Sequence, residues 1–206
     1  MTHISEQIFD ILKLSIEKKG SASFVVSGGS SPIKIFNELS FMDLDWTKVN
    51  ITLVDDRFVD KSHNDSNEKL VNENLMINKA ANLNFISLCN SPEKVLNIDR
   101  PFDIMFLGMG EDGHFASLFP SLIKTNPKYF DLSSIPEIIY TEALGSPCHK
   151  RVSMNLSMIL QSNKVFLLVP NKKKLDVYEE AKNNKKIPLY FLLNQIKTKI
   201  NIIKKS

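Results

Sequence analysis

The sequence predicts an α/β fold: a three-layer, Rossmann-like arrangement in which one mainly parallel sheet carries helices on both faces, as a single domain over residues 1–206. Three observations lead there. Short apolar runs alternate along the chain with segments of helical periodicity, the pattern of strand–helix–strand units. The runs are continuous rather than alternating, so they suit strands covered on both faces. Four of them end in glycine, acid or base, as strands do when their carboxyl ends face a ligand crevice.

The elements follow in order. Ile4, Ile8, Ile11, Leu12 and Ile16 recur at helical spacing from Ile4 to Lys18, with Ser5 as the expected cap and Gly20 placed to end the helix. Ala22 to Val26 is the first strand. The glycine loop Ser27-Gly28-Gly29-Ser30-Ser31-Pro32 follows, then a helix through Ile33, Ile35, Phe36 and Leu39. Ile51 to Val54 is a second buried strand ending in Asp55-Asp56-Arg57, with Asp65-Ser66-Asn67 as the cap of a helix from Asn67 to about Met76. Phe85 to Leu88 is a third strand, and Phe102 to Leu107 a fourth that runs straight into GMGEDGH. Val165 to Val169 is a fifth, followed by Asn171-Lys172-Lys173-Lys174 and a helix to about Lys182. A helix over Leu189 to Gln195 and an edge strand from Thr198 to Ile203 complete the pattern.

Bulk properties exclude several classes of function. With 43% hydrophobic and 24% charged residues, 206 residues can bury one sizeable core, so the chain is neither disordered nor fibrous. Its 26 basic and 23 acidic residues balance to +3, which gives no support for a nucleic-acid partner. Cys89 and Cys148 form neither a C-x-x-C pair nor a disulfide framework, as in a reducing compartment. No apolar run approaches the ~18 residues of a membrane span, and MTHISEQIFDILK carries acid where a signal peptide carries base. A cytoplasmic protein without a membrane partner is expected.

The polar clusters at the strand ends carry the chemistry. In SGGSSP the glycines let backbone approach a ligand, Ser31 is placed to cap the next helix and Pro32 suits its first turn, leaving N–H groups for an anion such as phosphate. The Lys-Ser/Thr ending of a Walker loop is missing, so nucleotide triphosphate hydrolysis has no support here. Asp55-Asp56-Arg57 supplies acids and a guanidinium for acid–base work or oxyanion stabilisation, or else a plain ion pair. Arg151 is a fixed cation able to hold phosphate bidentately, and Lys172 to Lys174 put base at a helix start, against the macrodipole.

Gly108-Met109-Gly110-Glu111-Asp112-Gly113 spells the G-x-G-x-x-G of dinucleotide loops, but it follows a late strand, and that fingerprint belongs to the first βα unit. His114 comes next, the one histidine of four in a glycine loop behind a buried strand; His3 is terminal, and His63 and His149 sit in polar stretches. An imidazole can take a proton from water near neutral pH, which makes His114 the general-base candidate. No pair of histidines or cysteines has metal-ligand spacing, so no metal is expected.

These segments, SGGSSP, DDR with DSN behind it, GMGEDGHFASLFP, Arg151 and Lys174, occur in the order found in 6-phosphogluconolactonases of the glucosamine-6-phosphate isomerase/6-phosphogluconolactonase superfamily, and the chain resembles that family over nearly its whole length. Ala116-Ser117-Leu118-Phe119-Pro120 is similar to the lactonase branch rather than to the deaminases, which continue toward Asn-Glu-Pro. The resemblance implies hydrolysis of 6-phospho-D-glucono-1,5-lactone, a step of the oxidative pentose phosphate pathway, with no metal or other cofactor. It implies His114 as the base that activates water and Arg57 at the substrate or its oxyanion. Ser27, Gly28, Gly29, Ser30, Ser31, Gly110, Arg151 and Lys174 would hold the phosphosugar lactone. Asp55 or Asp112 would orient His114. Three positions depart from the family's pattern: Asp56 stands for glutamate, Asn171 for glycine, and the segment before Arg151 carries less proline.

Overall fold

A computed structural model describes residues 3–204. Helix α1 (His3–Lys19) buries Ile8 and Leu12 completely and ends at Gly20, whose φ of +84° turns the chain while its N–H donates to the Ile16 carbonyl. Ser5 is not its cap: it lies inside the helix, buried, and its hydroxyl donates to Glu38 Oε2 at 2.8 Å. Strand β1 (Ala22–Val26) is buried at every position and leads through the glycine loop to α2 (Ile33–Ser40). Next come β2 (Val49–Leu53), the short β3 (Asp55–Arg57), α3 (Asn67–Asn74), β4 (Asn84–Phe85) and α4 (Pro92–Leu96). The second half runs β5 (Phe102–Leu107), α5 (Leu122–Thr125), β6 (Ile138–Leu144), β7 (His149–Met154), α6 (Leu156–Ile159) and β8 (Ser162–Val169). Helices α7 (Lys172–Ala181) and α8 (Leu189–Leu193) precede β9 (Ile200–Lys204).

Six strands form the central sheet in the order β4-β2-β1-β5-β8-β9, and every neighbouring pair is parallel. The expected α/β architecture is therefore present. The chain moves outward from β1 through β2 to β4, then returns to the other side of β1 with β5, β8 and β9. That reversal opens a crevice at the carboxyl ends of β1 and β5, where the glycine loop and GMGEDGH leave the sheet. At the opposite end, Asp103 on β5 is buried and accepts from Ser23 N–H (2.8 Å), the Ser23 hydroxyl (3.1 Å) and the Ser15 hydroxyl (2.9 Å), with Lys19 Nζ at 2.9 Å. One carboxylate thus pins α1 to the two central strands.

A second, antiparallel sheet β3-β7-β6 was not part of the expectation. It hangs from the first through Val54, whose N–H donates to Val26 O and whose carbonyl accepts from Met154 N–H, both at 2.9 Å. Its strands are short or rich in polar residues, so they lack a continuous apolar run: β3 and most of β7 are buried, whereas β6 alternates, with Ile139 and Thr141 inward and Tyr140 and Glu142 outward. The predicted third strand is also shorter than expected, only Asn84–Phe85, and the last helix stops at Leu193. None of the described helices is long and apolar enough to cross a membrane.

Candidate active site

The loops after β1, β5 and β8 meet β3 and β7 around a cleft of about 260 Å³. SGGSSP, DDR, GMGEDGH and NKKK, together with Arg151, all reach it, as the sequence predicts.

Ser27, Gly28, Gly29, Ser30 and Ser31 form one wall. Ser31 does not cap α2. The N-cap position is Pro32, and no side chain bonds the first turn, so the N–H end of α2 faces the cleft without a capping group. Dipole and free donors there favour an anion. Ser27 lines the cleft, and its hydroxyl is buried without a hydrogen-bond partner. Gly28 is required by packing, because a Cβ would fall 1.9 Å from Asn67 Oδ1.

The pleat of β3 sorts DDR. Asp55 pairs with Ser153 and Arg57 with Arg151 across the ladder to β7, so these four share a face, while Asp56 and Val152 share the other. The face of Asp55 and Arg57 is the one that lines the cleft. Asp56 turns away and holds the start of α3: its carboxylate accepts from the backbone N–H groups of Arg57 (2.7 Å), Asn67 (2.7 Å) and Glu68 (3.1 Å). Burial pushes Asp56 up to about 6 against those hydrogen bonds. The exchange of glutamate for aspartate therefore falls on a scaffold position. As expected, Ser66 caps α3, accepting from Lys69 N–H at 3.2 Å.

Arg57 and Arg151 are directly opposed cross-strand neighbours. Like charges in that position repel, and neither guanidinium is ion-paired to a described carboxylate. Arg57 Nη1 donates to Asn67 Oδ1 (2.7 Å) and the Asp65 carbonyl (2.9 Å), leaving Nε buried without a partner. Arg151 is buried, bonded to the carbonyls of Leu144 (3.1 Å) and Pro147 (3.0 Å), with its guanidinium 5.2 Å over the Phe119 ring. Burial lowers its pKa, Arg57 adding to that and Asp55 opposing it. An anion between the two arginines relieves this arrangement.

Of the three lysines, only Lys174 lines the cleft; Lys172 pairs with Asp176 at 2.7 Å and Lys173 lies 3.9 Å from Glu111. Burial lowers Lys174, partly offset by Glu111. Asn171 accepts the Lys174 N–H at 3.0 Å and so caps α7, which gives the residue in place of the family's glycine a definite role.

His114 Nδ1 lies 2.5 Å from Asp112 Oδ1, and the same oxygen accepts the His114 N–H at 3.2 Å. Burial raises the Asp112 carboxyl, but the hydrogen bond and charge of His114 outweigh it and hold the group below its ordinary value. An ionised acceptor on Nδ1 places the neutral ring's lone pair on Nε2. Gly110 makes the packing possible, since a Cβ there would lie 2.2 Å from the imidazole. Phe119 stacks at 4.4 Å between ring centroids. Asp55 does not touch His114: it accepts from the Ser117 hydroxyl at 2.6 Å and so ties the histidine loop to β3. Of the two acids left open by sequence, Asp112 is the one in contact.

Two features escape sequence reading. Asn67, read as part of a cap, joins Arg57 to the Asp55 carbonyl (2.9 Å) and lines the cleft; its place in DSN was the available signal. Secondly, His63, Asp65 and His149 bring a ligand atom each within 4.8 Å of one another, although no metal-ligand spacing is visible along the chain.

Three comparisons bear on this geometry. The family model described as glucosamine-6-phosphate isomerases/6-phosphogluconolactonase matches residues 1–200. The 6-phosphogluconolactonase of Neisseria meningitidis serogroup A is 36% identical over 205 residues, 93% of this chain and 88% of its own length; that of Rhizobium meliloti is 34% identical over 181 residues, 82% and 77% respectively. The crystal structure of a 6-phosphogluconolactonase from Shewanella baltica superposes with a TM-score of 0.87 at 32% identity, covering 98% of this chain and 91% of that one.

Proposed function

Since the chain belongs to the glucosamine-6-phosphate isomerase/6-phosphogluconolactonase family, we propose that it hydrolyses 6-phospho-D-glucono-1,5-lactone to 6-phosphogluconate, with His114 as general base and no catalytic metal. Its relatives and structural neighbours carry the name of that hydrolase. The observation that carries the mechanism is a single cleft holding two opposed arginines beside an imidazole tied to a carboxylate.

In this reading the uncapped end of α2, Arg151 and Lys174 hold the 6-phosphate. Anchoring that remote group places the lactone carbonyl by the base, so binding energy is spent on orientation. His114 Nε2 takes a proton from water as the water oxygen attacks C1. The negative charge that builds on the carbonyl oxygen is met by the guanidinium of Arg57, which lines the cleft. Collapse breaks the C1–O5 bond, and the proton on His114 passes to O5, which yields the open-chain acid. Asp112 keeps His114 in the Nε2-basic form, and Asp55 acts through Ser117 to hold the loop. We place the reaction in the cytoplasm, in keeping with two free cysteines.

Acid release followed at constant pH distinguishes this from the deaminase reading. Purified protein should release acid from 6-phosphogluconolactone well above the spontaneous rate and no ammonia from glucosamine 6-phosphate. Ammonia from the second with no gain on the first would overturn the assignment.

A further inference from the structure

A second polar cluster lies beside the cleft. His63 and Asp65 belong to the loop between β3 and α3, and His149 opens β7. His149 Nε2 is 2.8 Å from Asp65 Oδ2, His63 Nδ1 is 3.8 Å from the same oxygen, and the two rings meet edge to face at 5.6 Å. A tetrahedral ion with ligands at about 2.0–2.2 Å needs donor atoms roughly 3.4 Å apart. The two separations from Asp65 Oδ2, 2.8 and 3.8 Å, bracket that value, and all three donor atoms lie within 4.8 Å of one another, so coordination draws them together. His63 Nδ1 now accepts the Asp65 N–H at 3.0 Å, a bond that coordination replaces and that water can take over, because His63 is exposed.

We propose that His63, Asp65 and His149 form a three-ligand site for a borderline divalent cation, Zn²⁺ above all, with the fourth position open to water. Two imidazoles and one carboxylate suit zinc, whereas magnesium and calcium call for oxygen donors. The site acts as a clamp. Residues 63 and 65 sit on one side of it and the first residue of β7 on the other, so a bound ion ties the loop to the strand. Both carry cleft residues: the Asp65 carbonyl accepts from Arg57 Nη1 at 2.9 Å, and Arg151 is two residues beyond His149. The ion lies outside the reaction and has no part in activating water there.

The test is a Zn²⁺ titration of the purified protein against a chromophoric chelator, with Mg²⁺ as a second arm and thermal midpoint recorded with and without metal. Wild-type protein and His114→Ala should each bind one Zn²⁺ per chain and gain in midpoint, with no response to Mg²⁺. His63→Ala should lose the binding and the gain. His149→Gln, which keeps a donor for Asp65 and a fold checked by its metal-free midpoint, should lose them too. Binding that survives both substitutions, disappears only in His114→Ala, is matched by Mg²⁺ or is absent from the wild type would overturn the site. The lactonase assay is not used, so the outcome stands apart from the proposed activity.

Discussion

Asp112 and Asp56 are both partly or fully withdrawn from water, yet they are driven in opposite directions. Burial dominates at Asp56 and raises it to about 6, whereas at Asp112 the partnership with His114 overcomes burial and lowers it. In the proposed mechanism the consequence for Asp112 is catalytic: an ionised carboxylate fixes the imidazole tautomer. Asp112→Asn should lower kcat by at least about 10-fold with little change in KM, because the lone pair is no longer confined to Nε2; steady-state kinetics that leave kcat intact would remove Asp112 from the mechanism. For Asp56 the consequence is a pH-dependent stability. A carboxyl raised in the folded state binds a proton there that the unfolded chain has released, so its contribution is fully present below about 4 and is lost as pH rises to about 6. The shift corresponds to roughly 3 kcal/mol. Denaturant titrations should therefore show the stability gap between wild type and Asp56→Asn narrowing by up to that amount between pH 4 and 7. A gap independent of pH would contradict the raised value.

The parallel strands and the longer helices α1, α2, α3 and α7 were legible because each announces itself in one stretch of sequence: a buried run such as Phe102–Leu107, or the spacing of Ile4, Ile8 and Leu12; the four- and five-residue helices α4, α5 and α6 are too short to show a period and were not predicted. Sheet β3-β7-β6 was not legible, since three residues of DDR carry no periodicity and HKRVSM is half polar. Register was hidden with it, and so were the Arg57–Arg151 opposition and the turning away of Asp56. Caps were partly readable: Ser66 and Gly20 act as their residue types suggest, but Ser5 and Ser31 answer to tertiary partners or to none. Asp103 is the one polar residue in the apolar run Phe102–Leu107 and carries no sequence signal of its own. Its burial among four donor groups makes it the link between α1, β1 and β5, and Asp103→Ala should cost about 2–4 kcal/mol while leaving KM unchanged, because it stands at the other end of the sheet from the cleft. Thermal or urea unfolding checks the first part and steady-state kinetics the second.

Taken together, the site is a product of the parallel topology. Reversal of the chain at β1 and β5 brings loops 80 residues apart to one crevice, and the small antiparallel sheet adds Arg57 and Arg151 from the side. Sequence alone located most of this crevice because glycine, acid and base cluster at strand ends; it could not rank Asp112 above Asp55, nor find the His63–Asp65–His149 group, because those depend on contacts that spacing does not encode. The proposed division of labour between anchor and base leads to the most direct experiment: rates of 6-phosphogluconolactone hydrolysis by wild type and His114→Ala, corrected for spontaneous hydrolysis, alongside calorimetric binding of 6-phosphogluconate to both. Loss of turnover by about 100-fold or more with product affinity kept within a few-fold is the predicted result. Equal turnover in the two proteins would contradict it.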